Sequence, residues 1–524
     1  MGRTYEQGDM IIRLPGDESL AWDQVTVTEL PDDDLIVRAF EGDGTVNLVC
    51  CAAITVPESV LDELRACGGE GVIAPRTAPE NTVTLIEHDG VCVWTVPTAS
   101  DPPVTSDPPV TSDPPVTSDS PVTSGAPDTP AEPALMDGIR TVAFRRPSGT
   151  RPAALIGSGR TPGLPTRVRA AIFRLPSVAA AALVRTVETA IVHPGLITIT
   201  DRNPLSWRRF RIGDVTPPAT RGVVRVLLLV HGTFVTTVGG FGVLESNDDA
   251  KAFLHSMLGR YDAVLGFTHR TLSESPKQNA DELRQVLGSL AAEVRDRFGG
   301  ATLAVDVVTH SRGALVARSF VELTAPVNGV GIEKLVMVAG PNAGTLLAAP
   351  TNWRTLLDLW TALAADVARQ WAGPIAEKVT RESLSLVAAC AKAVIAQAVD
   401  AQNLPGLASM RPSDNPFLDE LNAPGGGAVR PPYRTVVTDF EPDQIVGPLN
   451  PVGDALERLA DDVVDPLMGT ANDLVVNTDS MSEIDGSSLP TASVAIVPSS
   501  TGTQHLSYFV DTVSLRMIEG ELRR

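Results

Sequence analysis

The 524-residue chain has no apolar run close to the roughly 20 residues that a membrane-spanning helix needs. Its central apolar run, Val226–Val230 with its neighbours, is broken by Arg225 and His231. The N-terminus, M-G-R-T-Y-E, lacks the basic-then-apolar build of a secretory leader. Gly2 is followed by Glu6 where a myristoylation signal carries Ser or Thr. Cysteine is scarce. Cys50, Cys51, Cys67, Cys92 and Cys390 are odd in number and form no C-x-x-C pair, which argues against a disulfide framework. These absences together predict a reduced, cytoplasmic setting. Basic charge is also short: 42 Lys and Arg stand against 63 Asp and Glu, a net charge of −21. Such a surface is a poor match for nucleic acid, and no nucleic-acid partner is expected.

What is present has a globular balance, 43% hydrophobic and 20% charged. The length exceeds one ordinary core, so two or more domains are expected. The charge is divided along the chain. Residues 1–97 hold 18 acidic and 5 basic residues, 98–136 hold 6 acidic and none basic, and 137–225 hold 4 acidic and 15 basic.

This division suggests the domain plan. Residues 1–97 read as a small acidic β-rich domain, with strands at 25–28, 35–40, 46–53, 82–87 and 91–96 and a short helix at 57–67. Residues 98–136 are a tether, in which S-D-P-P-V-T starts at Ser100, Ser106 and Ser112 and decays to S-D-S-P-V-T at Ser118. Proline at this density predicts a disordered, extended spacer. Residues 137–524 read as one α/β domain with a basic lead-in at 137–220 and a helical insertion at 345–430. Buried apolar strands at 223–230, 263–267, 303–308, 334–338, 433–440 and 492–497 alternate with helices, which predicts a mostly parallel sheet covered on both faces. Two Ala/Leu-rich helices, at 353–371 and 375–402, form the insertion.

Three features carry chemistry. The apolar strand ending at Val230 runs into His231-Gly232-Thr233, where a sharp turn at Gly232 can present free N–H groups at the C-terminal end of a strand; the simpler alternative is an ordinary turn. A second buried strand leads into Thr309-His310-Ser311-Arg312-Gly313 and then a helix, the context that a nucleophile elbow requires. There a tight turn exposes Ser311 above the sheet, and Gly313 lets helix and strand approach closely. The simpler alternative is that Ser311 only caps the helix. A serine hydroxyl needs a base, and the base needs an orienting acid. His505, beyond the last strand, suits the base. Asp473 and Asp443 both suit the acid; Asp473 is favoured because its distance to His505 fits one helix and one strand. His310 and His231 flank the motifs as supporting residues, and His269 follows a strand near them.

Taken together, these residues resemble an α/β-hydrolase of the lipase and esterase group. T-H-S-R-G is similar to the elbow of lipases that replace the first glycine. N-D-L-V-V-N-T resembles an N-D-x-V-V-P-x loop, and L-P-G-L-A-S-M-R-P-S-D-N-P-F-L-D-E-L-N resembles the segment before it in bacterial triacylglycerol lipases. The resemblance spans about residues 221–518, with Thr309 and Asn477 as departures. It implies an α/β-hydrolase fold with a helical cap, and hydrolysis of acyl esters through an acyl-enzyme. Ser311 would be the nucleophile, His505 the base and Asp473 the acid. The backbone N–H groups of Thr233 and Arg312 would form the oxyanion hole, and no metal or organic cofactor would be needed.

The expected substrate is an acyl ester or lipid. Trp353, Trp360 and Trp371 in the insertion suit either a lid facing lipid or plain packing on the sheet. The basic lead-in, with Arg145, Arg146, Arg167, Arg169, Arg174, Arg208, Arg209 and Arg211, suits peripheral contact with anionic lipid or pairing with the acidic head of the same chain. Two other classes stay open. One is an effector whose residues 1–97 recognise a protein partner while its hydrolase domain acts on membrane phospholipid. The other is a non-catalytic binding relative.

Overall fold

The computed structural model describes residues 3–14, 20–42, 44–57, 60, 70–75, 81–88, 91–95, 142–143, 166–218, 222–369, 373–395, 404–423, 430–445 and 460–524. The tether at 98–136 and nearly all of the expected helix at 57–67 lie outside them, as do Arg145 and Arg146.

Short apolar runs between turn residues form the N-terminal strands β1 (Arg3–Gln7), β2 (Met10–Leu14), β3 (Thr26–Thr28), β4 (Asn47–Val56), β5 (Glu70–Pro75), β6 (Thr82–His88), β7 (Val91–Thr95), β8 (Val142–Ala143) and β9 (Thr166–Arg174). They make two antiparallel sheets, ordered β1-β2-β5-β8 and β3-β4-β9-β6-β7. Met10, Ile12, Ile54, Ile86, Val168 and Ile172 share one core cluster contributed by both sheets. Two sequence expectations change here. The segment expected as a strand at 35–40 is helix α1 (Leu35–Ala39), because the Asp34 carboxylate accepts the Ile36 amide and starts a helical turn. The strand Thr166–Arg174, expected in the lead-in to the second domain, sits between β4 and β6 instead. Its alternation turns Val168, Ala170 and Ile172 to one core and Ala171 and Phe173 to the other.

The second sheet is built from β10 (Gly195–Thr198), β11 (Arg208–Arg209), β12 (Val223–Val230), β13 (Ala263–Thr268), β14 (Thr302–His310), β15 (Val330–Val338), β16 (Tyr433–Thr438) and β17 (Val494–Val497). Their order is β11-β10-β13-β12-β14-β15-β16-β17. β13 to β17 pair in parallel, and the two edge strands β10 and β11 are antiparallel. The helices are α2 (Ala180–Ile191), α3 (Asp248–Arg260), α4 (Pro276–Arg297), α5 (Gly313–Leu323), α6 (Trp353–Arg369), α7 (Pro374–Ile395) and α8 (Thr512–Arg523). Val224, Val226, Leu228 and Val230 of β12 join α4 and α5 in one core, while Leu227 and Leu229 join α3 and α8 in another. A strand buried on both faces must be apolar throughout, which accounts for its unbroken run. α4 starts cleanly because Ser275 and Gln278 form a capping box with Pro276 at the first position.

The position of β12 decides where a site can lie. The chain runs from β12 to β13 on one side and later to β14 on the other, so the sheet reverses direction between β12 and β14. Crevices beyond the strand C-termini at such a reversal are where open α/β sheets place ligands. His231-Gly232-Thr233 follows β12 there, and Ser311 follows β14.

Candidate active site

Ser311 has φ 52°, a left-handed conformation that an L-residue adopts at a cost. The Ser311 amide donates to Val338 O at 2.9 Å, which ties the turn to β15. The turn also demands glycines. A Cβ on Gly313 would collide with the carbonyl oxygens of Val230 and His231, and one on Gly232 would lie 2.8 Å from Ser311 Cβ. Thr309, where a first glycine was expected, is buried within β14 and leaves the Ser311 conformation intact.

His505 Nε2 lies 2.9 Å from Ser311 Oγ, and His505 Nδ1 lies 2.8 Å from Asp473 Oδ2. The carboxylate fixes the tautomer: Nδ1–H donates to it, leaving Nε2 as the acceptor facing the serine. Asp473 Oδ1 accepts the amides of Val475 at 3.1 Å and Val476 at 2.8 Å, and its backbone carbonyl accepts the His505 amide at 3.0 Å. The loop is held from outside as well. Asn477, the second departure, donates to Met468 O at 3.2 Å and Thr470 Oγ1 at 2.9 Å. Asp443, the alternative acid, lies in the short turn Pro442–Gln444.

The flanking histidines have structural places. His310 Nε2–H donates to His505 O at 2.8 Å, bracing the loop that carries the base. Burial, with His505 nearby, pushes the His310 pKa down to about 3, so it stays neutral. His231 Nδ1–H donates to Gly232 O at 2.9 Å, and its Nε2 accepts the His269 amide at 3.2 Å. The two rings stack at 4.1 Å. Burial lowers His231 to about 4 and takes His269 well below its usual value. The side chain of Arg312 turns away from the serine. It donates to Glu274 O at 2.6 Å and Asn279 Oδ1 at 2.9 Å, and burial lowers it to about 10.

Sequence reasoning missed two contributors. The Tyr508 hydroxyl donates to Asp473 Oδ2 at 3.3 Å. Its signal, a tyrosine three residues after the base, has no distinctive spacing. The other is a clamp on α6. Leu356 and Trp360 of α6 line the space beside Ser311 with Thr233, Met410 and Val475, and Trp360 stands edge-on to His505 at 5.9 Å. That space is only about 10 Å³, and Ser311 and His505 are 3% and 0% exposed. The opposite side of α6 is held by Trp94 of β7. The Trp94 amide donates to Asp358 Oδ1 at 3.0 Å, its indole to Thr361 Oγ1 at 2.8 Å, and its carbonyl accepts from Arg354 at 3.1 Å. Trp353, for which lid and plain packing were both open, is buried and donates to Ala348 O at 2.8 Å; Trp371 lies outside the described residues. Among the described residues no helix is long and apolar enough to cross a membrane, and no cluster of three His, Cys, Asp or Glu could hold a metal ion.

A mostly parallel sheet with helices on both faces, a strained serine at the tip of a central strand and a cap of helices define an α/β-hydrolase. Within that class the chain belongs to the family described as "Domain of unknown function (DUF7379)", whose model matches residues 194–523. No curated protein matches its sequence. Similar solved structures include the mature Bacillus licheniformis lipase BlEst2, at 15% identity and a TM-score of 0.34, covering 59% of this chain and 95% of that one. Lipase 1 from Pelosinus fermentans is 14% identical with a TM-score of 0.36, covering 57% and 98%. Phospholipase PlaB from Legionella pneumophila is 14% identical with a TM-score of 0.33; the match covers 56% of this chain and 58% of that protein. Similarity this low leaves the chemistry to the site's own geometry.

Proposed function

We propose that the protein is a serine hydrolase of carboxylic esters with an apolar acyl group. The observation that carries this reading is the unbroken relay from Ser311 Oγ through His505 to Asp473, at 2.9 and 2.8 Å, on a strained elbow. Ser311 attacks the acyl carbonyl while His505 Nε2 takes its proton. Asp473 stabilises the imidazolium, and its two amide donors keep it oriented. The amides of Thr233 and Arg312 receive the developing oxyanion, with the start of α5 behind the second. His505 then returns the proton to the leaving alcohol, and water repeats the sequence on the acyl-enzyme. Neutral His231 and His310 hold backbone rather than move protons, since both are buried and engaged.

Leu356, Trp360, Met410 and Val475 support an apolar acyl group, because they would line the acyl carbon chain once α6 moves. The test is hydrolysis of p-nitrophenyl esters from acetate to palmitate. We expect turnover by the wild type and at least a 10³-fold loss in Ser311→Ala. No turnover of any chain length by folded wild type would overturn the reading.

A further inference from the structure

Glu188 is buried in α2, a helix of the segment read as a basic lead-in. A buried carboxylate is costly unless its oxygens are well paired. Here both are. Oε1 accepts the amides of Thr271 at 2.6 Å and Leu272 at 2.9 Å. Oε2 accepts the Ser273 amide at 2.9 Å and its hydroxyl at 2.6 Å. Every one of these donors belongs to the loop that follows β13. Three consecutive amides turned onto one carboxylate fix the path of that loop. It is braced from another side as well. The Gly406 amide donates to Leu272 O at 3.0 Å, and a Cβ on Gly406 would lie 1.9 Å from Thr271 O.

The loop reaches the site through Thr271. Its hydroxyl accepts the Phe234 amide at 3.2 Å. The hydroxyl's own hydrogen has Glu188 Oε1 at 3.5 Å, which leaves a lone pair for that amide. Phe234 has φ 58°, a left-handed conformation that a non-glycine residue keeps only where its surroundings hold it. Thr233 and Phe234 are both buried, and both line the space beside Ser311. Thr271 therefore holds the peptide that joins them, and with it the turn that carries the Thr233 amide.

We propose that Thr271, set in place by Glu188, is a positioning residue for the oxyanion hole. Glu188 fixes the loop, Thr271 fixes the Phe234 peptide, and that peptide keeps the Thr233 amide aimed at the acyl oxygen. Neither Glu188 nor Thr271 lines the space beside Ser311. An oxyanion hole stabilises charge best when its donors are in place before the charge develops. The catalytic consequence rests on the esterase reading; the hold on the Phe234 amide does not.

The test compares Thr271→Val, which keeps the shape and removes the acceptor, with Thr271→Ser, which restores it. We expect Thr271→Val to lower kcat for p-nitrophenyl butyrate roughly 10-fold, short of the roughly 10²–10³-fold for deleting a donor outright, with KM within about twofold. Thr271→Ser should stay within about threefold of wild type. Glu188→Gln should lower kcat about threefold or more, and its loss should not multiply with that of Thr271→Val in the double variant. Circular dichroism checks each fold. An unchanged kcat in Thr271→Val, a loss confined to KM, or Thr271→Ser as slow as Thr271→Val would overturn the proposal. Multiplying losses, or a Glu188→Gln chain that does not fold, would overturn the part given to Glu188. Hydrogen exchange needs no turnover. The Phe234 amide should exchange about tenfold faster or more in Thr271→Val and near the wild-type rate in Thr271→Ser. Unchanged exchange in Thr271→Val would overturn the hold on Phe234. Absence of any hydrolysis by wild type would count against the esterase reading, and exchange alone would then decide that hold.

Discussion

Asp473 carries more contacts than any other polar group at the site. One oxygen accepts two backbone amides; the other meets His505 and the Tyr508 hydroxyl. The phenol touches the carboxylate, so in the proposed relay it is a positioning residue. Burial raises its pKa well above the ordinary value, which keeps it a neutral donor throughout the working pH range. Tyr508→Phe removes one modest hydrogen bond, worth about 0.5–1.5 kcal/mol. We expect kcat/KM for a p-nitrophenyl ester to fall roughly 2–10-fold with KM nearly unchanged; an identical rate would show that the phenol does not orient Asp473. The strained turn at Ser311 was legible in the sequence because an elbow needs a strand, a tight turn and a glycine in consecutive order, and the geometry brings His505 to it. The distance to His505 favoured Asp473 over Asp443, and the geometry joins Asp473 to His505. Tyr508 was not legible, because a single hydroxyl reaching a carboxylate 35 residues away leaves no periodic trace.

Among the elements, α6 is the one that covers Ser311. One side closes over Ser311 through Leu356 and Trp360, and the other side is pinned by Trp94 through Arg354, Asp358 and Thr361. The pin joins residues more than 250 positions apart, so nothing local in either segment announces it. The same holds for β9, whose partners β4 and β6 precede the tether. Strands β12 to β17 of the second sheet were legible because each is an apolar run between turns, whereas the short antiparallel edge strands β10 and β11, in the segment read as a basic lead-in, were not. The short segment at Leu35–Ala39 was not, because five apolar-rich residues read equally as strand until the Asp34 cap is considered. Trp94→Phe keeps the ring in its core and removes the indole bond to Thr361. We expect about 1 kcal/mol lower stability in urea unfolding and faster access to Ser311, seen as a severalfold faster reaction with a fluorophosphonate probe. A slower reaction would mean that Trp94 does not restrain α6.

The whole molecule divides its charge more simply than its total of −21 suggests. Arg169, one of the basic lead-in residues, pairs with Asp34 and Glu87 of the acidic head, so part of the opposition is settled within the N-terminal sheet. Its pH response is set by buried histidines. His231 and His310 fall to about 4 and about 3 in the fold, and His269 falls well below its usual value. Their folded pKa values lie below the unfolded value of about 6.5. The unfolded chain therefore binds more protons in this window, so this stability is fully present above about pH 6.5 and declines as pH falls toward 4. We expect Tm to drop steadily from pH 7 to pH 5, where most carboxylates are still charged, and His310→Gln to flatten that slope; a constant Tm across the interval would contradict it. The relay at Ser311 is tested by fluorophosphonate labelling followed by peptide mass spectrometry. We expect one label on Ser311, none in Ser311→Ala, and labelling at least tenfold slower in Asp473→Asn than in Asp443→Asn. Label on another serine, or an undiminished rate in Asp473→Asn with loss in Asp443→Asn, would contradict it.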